Sequence, residues 1–134
     1  IAITGVSTAQ AALAWTVDYV KERRAFGQPI ASFQNTKFVL AEVKTQVDVA
    51  QAYVDQCVVR LSNGTLTAAE AAQAKYFCTE LQQRSTDRCL QLFGGYGYMT
   101  EYPIARAYAD ARITSIYGGT TEVMKTIIAK SLGL

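Results

Sequence analysis

The sequence predicts an all-α chain, an up-and-down four-helix bundle with an extra short helix. Three observations carry this expectation. Apolar residues recur at steps of three and four almost throughout, no stretch alternates convincingly between apolar and polar, and Gly, Pro and Asn-Gly breaks separate the helical runs. With 134 residues, 50% of them apolar, residues 1–134 suit one domain around one core.

The first helix is expected from about Ile3 to Arg24, with Val6, Leu13, Val17 and Val20 on one stripe and Gly27 and Pro29 stopping it. A second should start near Ser32 and bury a seam at Leu40, Val43, Val47, Ala50, Val54, Cys57 and Leu61. Asn63-Gly64 ends that helix, and Thr67 with Glu70 forms a capping box opening a third through Ala71, Ala74, Cys78, Leu81 and Leu92. Gly94, Gly95 and Gly97 close the third helix. Pro103 suits the first turn of a short fourth helix reaching about Arg112, and the last helix begins near Thr120.

Composition narrows the chemistry. Thirteen Lys and Arg against eleven Asp and Glu leave a charge of +2, with no basic tract able to follow a nucleic-acid backbone, so no nucleic-acid partner is expected. No apolar run is long enough for a membrane span, and the opening IAITGVSTAQ lacks the charged start of a signal peptide. Cys57, Cys78 and Cys89 lie in apolar helical patterns, which fits buried thiols in a reducing compartment. The chain contains no histidine, so the commonest general base and metal ligand is missing and no metal site is expected. Chemistry must come from carboxylates or from a cofactor.

Three helix-end stretches depart from bundle-like sequence: KERRAFGQPIASFQ, QLFGGYGYMTEYP and IYGGTTEVMK. Lys21, Arg23 and Arg24 before Phe26-Gly27 offer guanidinium forks for a diphosphate beside a ring able to stack on a flat cofactor. Equally, cations in the last turn of a helix offset its dipole with no ligand. Gly94-Gly95-Tyr96-Gly97-Tyr98 removes side chains where a backbone or ligand can approach, although a helix stop alone explains the first glycine. Gly118-Gly119-Thr120-Thr121 sets free amides at a helix start, which suits an anionic or carbonyl-bearing ligand and also an ordinary Thr cap.

Taken together, RRAFGQPI with Phe33-Gln34, QLFGGYGYMTEYPIARAYADARI and IYGGTTEVMK closely resemble, in order and spacing, the C-terminal domain of acyl-CoA dehydrogenases. The likeness covers essentially the whole chain. It is nearest to the long-chain and isovaleryl branch, because IYGGT stands where other members read IYEGT.

That resemblance implies FAD-dependent oxidation of acyl-CoA thioesters to trans-2-enoyl-CoA. It also implies that the family's N-terminal helical and middle β domains lie outside this chain, which alone should oxidise nothing. By motif, Arg23 matches a contact to the flavin dinucleotide's diphosphate across a subunit boundary, with Ala25 and Phe26 beside it. Phe33 and Gln34 match an adenine-side contact, and Gln91, Leu92, Phe93, Gly94 and Gly95 match a run along the dinucleotide from the neighbouring protomer. Thr120, Thr121 and Glu122 match the cofactor-side turn of the last helix, while Tyr117, Gly118 and Gly119 would line the thioester end.

Most members take the proton-abstracting Glu from the position that is Gly118 here. In the branch reading YGGT it comes from the start of the first helix, which aligns just before Ile1, so no catalytic base is assigned within the chain. Asp18, Glu22 and Glu122 are not candidates. Implied partners are acyl-CoA, an electron-transfer flavoprotein or similar acceptor, and further copies in a homodimer or homotetramer; the implied compartment is the cytoplasm or mitochondrial matrix. Two other classes compete: a flavoprotein oxidase of acyl-CoA oxidase type, and a non-catalytic helical assembly module.

Overall fold

The computed structural model describes residues 1–134. Five α-helices are α1 (Ala2–Glu22), α2 (Gln34–Ser62), α3 (Ala68–Phe93), α4 (Pro103–Ala111) and α5 (Thr121–Ser131). Short 3-10 turns occupy Ile30–Ser32, Gly94–Tyr98 and Arg112–Ser115. The expected helical architecture is observed.

α3 is the central helix, contacting α1, α2, α4 and α5. Partners Glu42 with Arg88 and Arg60 with Glu70 show α2 and α3 antiparallel across the Asn63-Gly64 turn. Gly5 lies against Cys78 and Tyr19 stacks on Phe93, so α1 runs parallel to α3. The core joins Val6, Ala9 and Ala12 of α1, Val43, Val47, Ala50 and Val54 of α2, Cys78, Leu81, Cys89 and Phe93 of α3, and Ile104 of α4. The capping box forms as read: the Thr67 hydroxyl accepts from the Glu70 backbone N–H, and the Glu70 carboxylate accepts from the Thr67 N–H.

Several boundaries and seam positions differ from the sequence expectation. The first helix ends at Glu22 rather than Arg24, because Phe26 and Gly27 both take left-handed backbone angles, φ 52° and 82°. Two successive positive φ values turn the chain as in a tight hairpin. Arg24–Ala25 (β1) therefore pairs antiparallel with Gln28–Pro29 (β2), a strand pair in a chain read as wholly helical. The second helix starts at Gln34 rather than Ser32, since Phe33 is still extended after the 3-10 turn.

On α1 the buried stripe is Gly5, Val6, Ala9, Ala12, Thr16 and Val20, with Leu13 and Val17 only half-buried. Small residues let α1 sit close on α3. Leu61 is 66% exposed because the bundle ends before it; it borders an open apolar groove with Ile1, Ile3 and Leu66. Ala71 is also exposed, and Ala72 and Ala74 are buried instead. α3 buries two stripes: Ala74, Cys78, Leu81, Ser85 and Cys89, and a polar one of Ala72, Lys75, Thr79, Gln82 and Thr86. The Thr79 and Thr86 hydroxyls donate back to the Lys75 and Gln82 carbonyls at 2.9 and 2.8 Å, which makes their burial tolerable.

Candidate functional site

Two of the three singled-out stretches meet at one end of the bundle. The C-terminal end of α1, the β1–β2 hairpin and the C-terminal end of α3 enclose a cleft of about 620 Å³. Arg23, Ala25, Phe26 and Phe33 form one wall, and Gln91, Leu92, Phe93, Gly94 and Gly95 the other. Gln34 does not line it; it is exposed as the first residue of α2.

The two arginines divide their work. Arg24 donates to the Gly27 carbonyl at 2.7 Å and so braces the hairpin turn. Arg23 instead carries its guanidinium over the Tyr96 ring, 5.0 Å from the centroid, which keeps a fixed positive charge at the cleft. Beneath it Tyr19 stacks on Phe93 with ring centroids 4.1 Å apart and donates its hydroxyl to the Phe93 carbonyl at 3.2 Å. Burial raises the Tyr19 hydroxyl pKa, with Arg23 acting in the opposite direction. Tyr102 meets both rings edge-on, so four aromatic residues hold the floor.

The glycines serve different ends. Gly97 is a packing position, since a Cβ there would lie 2.6 Å from the Leu90 carbonyl oxygen. Gly94 and Gly95 have nothing within 4 Å of an added Cβ, leaving open backbone along the cleft. Phe26 is 95% exposed on its hairpin turn, a large ring presented to solvent at a left-handed position. A cationic fork, an open glycine backbone and exposed rings give the cleft groups able to hold an anion beside a flat ring.

The third stretch lies at the opposite end. Because α1 and α3 are parallel, the fourteen-residue step from Gly5 to Tyr19 separates the two regions by roughly 20 Å at 1.5 Å per residue. Here Gly118 and Gly119 both have positive φ, 61° and 98°, and turn the chain into α5. Thr120 caps α5, its hydroxyl accepting from the Val123 N–H at 3.4 Å, and Thr121 is buried. Hydrogen bonds from its own backbone N–H and then from the Thr120 hydroxyl hold the Glu122 carboxyl below the usual range. Tyr117 is 43% exposed beside the turn. A Cβ on Gly118 would fall 2.5 Å from Ile1 Cδ1, so the start of α1 faces the turn. Asp18 and Glu22 sit near the other end of α1.

One residue of this region went unread in the sequence. Lys75 is 6% exposed and donates from Nζ to the Gly119 carbonyl at 2.6 Å. Its signal was its step of three and four with Ala72 and Thr79, visible only when polar residues are admitted to a buried stripe. Tyr19 and Tyr102 were missed similarly, as aromatic residues inside helical patterns.

The family model for the acyl-CoA dehydrogenase C-terminal domain matches residues 1–133. The chain belongs to the acyl-CoA dehydrogenase family. This C-terminal domain is 47% identical over 132 residues to the mitochondrial long-chain specific acyl-CoA dehydrogenase of Sus scrofa, covering 98% of this chain and 31% of that protein. It is 34% identical to the caffeyl-CoA reductase-Etf complex subunit CarC of Acetobacterium woodii, over 98% of this chain and 35% of that one. The crystal structure of acyl-CoA dehydrogenase from Geobacillus kaustophilus superposes with a TM-score of 0.97 at 41% identity, covering 99% of this chain and 35% of that one. The domain thus spans about a third of the length of the curated relatives it matches. No helix is long and apolar enough to cross a membrane, and all three cysteines are free and buried.

Proposed function

We propose that this domain serves, within a longer protein, the FAD-dependent oxidation of an acyl-CoA thioester to its trans-2-enoyl form. The observation that carries this reading is the cleft where the Arg23 guanidinium, the open Gly94–Gly95 backbone and the exposed Phe26 ring converge. Arg23 would hold the dinucleotide's diphosphate with Phe26 beside it, Gln91 and Gly94–Gly95 would lie along it, and Phe33 and Gln34 would sit on its adenine side. FAD, when bound, supplies the acceptor for the hydrogen that leaves the substrate's β carbon.

The chain's own residues bind and orient. Thr120, Thr121 and Glu122 form the cofactor-side start of α5, and Tyr117, Gly118 and Gly119 line the thioester end. Glu122, held below the usual carboxylate range, stays ionised and is a weak proton acceptor at neutral pH. Gly118 has no side chain to take the α proton. The carboxylate that takes it enters from the residue preceding Ile1, a reading supported by Ile1 packing directly against Gly118.

The separation of cleft and turn favours a homodimer or homotetramer, in which one copy's cleft is completed by another's turn. The acceptor of electrons is an electron-transfer flavoprotein or similar protein, and the compartment is reducing, cytoplasmic or mitochondrial. The test is to purify the full-length protein, record its flavin, and mix it anaerobically with acyl-CoA thioesters of graded length. Bleaching of flavin absorbance by acyl-CoA, lost along with flavin content in Arg23→Ala, is the expected result. Bound flavin that no acyl-CoA reduces would refute the reading, and turnover coupled to oxygen alone would move the protein to the oxidase class.

A further inference from the structure

Lys75 sits on the buried polar stripe of α3 with 6% of its surface exposed. It belongs to none of the ion pairs, which join Lys44 to Asp48, Arg60 to Glu70, Arg84 to Glu80 and Arg88 to Glu42. Its ammonium has a neutral partner, the Gly119 carbonyl oxygen at 2.6 Å. Burying a cation against a carbonyl costs stability that an apolar side chain of equal length would not. The fold tolerates that cost at one place, beside the double-glycine turn.

The turn needs an external restraint. Gly118 and Gly119 are conformationally permissive and both left-handed. No backbone hydrogen bond of ordinary geometry reaches either residue, and the Lys75 bond is the sole side-chain hydrogen bond to the pair. In a trans peptide the C=O and the following N–H point in opposite directions. Fixing the Gly119 oxygen toward α3 therefore fixes the Thr120 N–H away from it.

We propose that Lys75 is a positioning residue for the thioester end of the site, holding the Gly118–Gly119 turn in one orientation through the Gly119 carbonyl. This rests on the functional reading above for its consequence in turnover, but not for its effect on the turn. Lys75 touches no reacting atom; it sets the peptide planes that do.

The test is Lys75→Met in the full-length protein, which keeps an unbranched side chain one atom shorter and removes the donor. Three readouts apply: thermal midpoint, amide hydrogen exchange at Tyr117, Val123 and Met124, whose hydrogen-bonded N–H groups flank the turn, and kcat per bound flavin. The expected result is a thermal midpoint unchanged or raised, faster exchange at the turn, and kcat lower by roughly ten- to hundredfold with flavin content kept, in line with the cost of misplacing a reacting group. A merely structural lysine predicts the reverse pattern, so a fallen midpoint or failure to fold overturns the proposal. Unchanged exchange, or unchanged kcat in a parent that does oxidise acyl-CoA, overturns it as well. A parent that oxidises no acyl-CoA sinks the functional reading, and the exchange and stability readouts then decide the role of Lys75 by themselves.

Discussion

Ile1 fills the space beside Gly118: its Cδ1 lies 2.5 Å from where a Gly118 Cβ would stand. The two residues come from opposite ends of the sequence and meet because α1 starts at the end of the bundle where the last loop turns. Any side chain at position 118 meets both this contact and a backbone angle of φ 61°. Gly118→Glu is therefore expected to destabilise the domain by about 1–2 kcal/mol from the left-handed angle alone. Adding Ile1→Ala should recover only the steric part, since the flexible end of Ile1 can move and the backbone angle cannot. Urea midpoints of the two variants check this; equal stability of Gly118→Glu and parent would contradict it.

Gly5 marks a close approach of α1 to α3, since an added Cβ would lie 2.7 Å from the Cys78 carbonyl oxygen. The obstructing atom is backbone, so relief requires the helices to separate. Gly5→Ala should destabilise by about 1–3 kcal/mol, despite Ala's better helix propensity. A midpoint at or above the parent's would show that the helices do not pack this closely.

Phe26 combines a left-handed backbone with an almost fully exposed ring, so in the domain by itself it bears strain without burying surface. Phe26→Gly should raise stability by roughly 0.5–1 kcal/mol, the relieved strain exceeding the entropy cost of glycine. In the full-length protein the same change should weaken FAD retention. A variant that gains stability and holds FAD unchanged would remove Phe26 from the cofactor cleft.

Much of this was legible in the sequence. The capping box at Thr67 and Glu70, the Pro103 start and the α2 seam from Val43 to Cys57 follow from local chemistry and periodicity. The hairpin did not, because Phe26 at φ 52° contradicts the preference of its own residue type. The cleft residues Arg23, Phe26, Gln91, Gly94 and Gly95 were found by motif, while their meeting depends on α1 and α3 ending side by side. Lys75 escaped because a charged residue ordinarily marks the solvent face of a helix.

Burial pushes the Cys78 thiol up to about 11 from its ordinary 9.0. The unfolded chain gives up this proton first as pH rises, so the folded state binds more protons between those values. Stability should be intact below about pH 9 and fall progressively toward pH 11. Cys78→Ala should flatten that alkaline slope. Urea unfolding at stepped pH tests it, and an identical slope in the variant would assign the loss elsewhere.

The most direct test of the central claim is replacement of the carboxylate proposed to precede Ile1 by its amide in the full-length protein, followed by anaerobic mixing with acyl-CoA. A base acts on the chemical step and contributes little to cofactor affinity, so flavin should stay bound while its reduction slows by several orders of magnitude. In that background Gly118→Glu should restore measurable reduction with an altered chain-length preference. Reduction at the parent's rate in the amide variant would contradict the account.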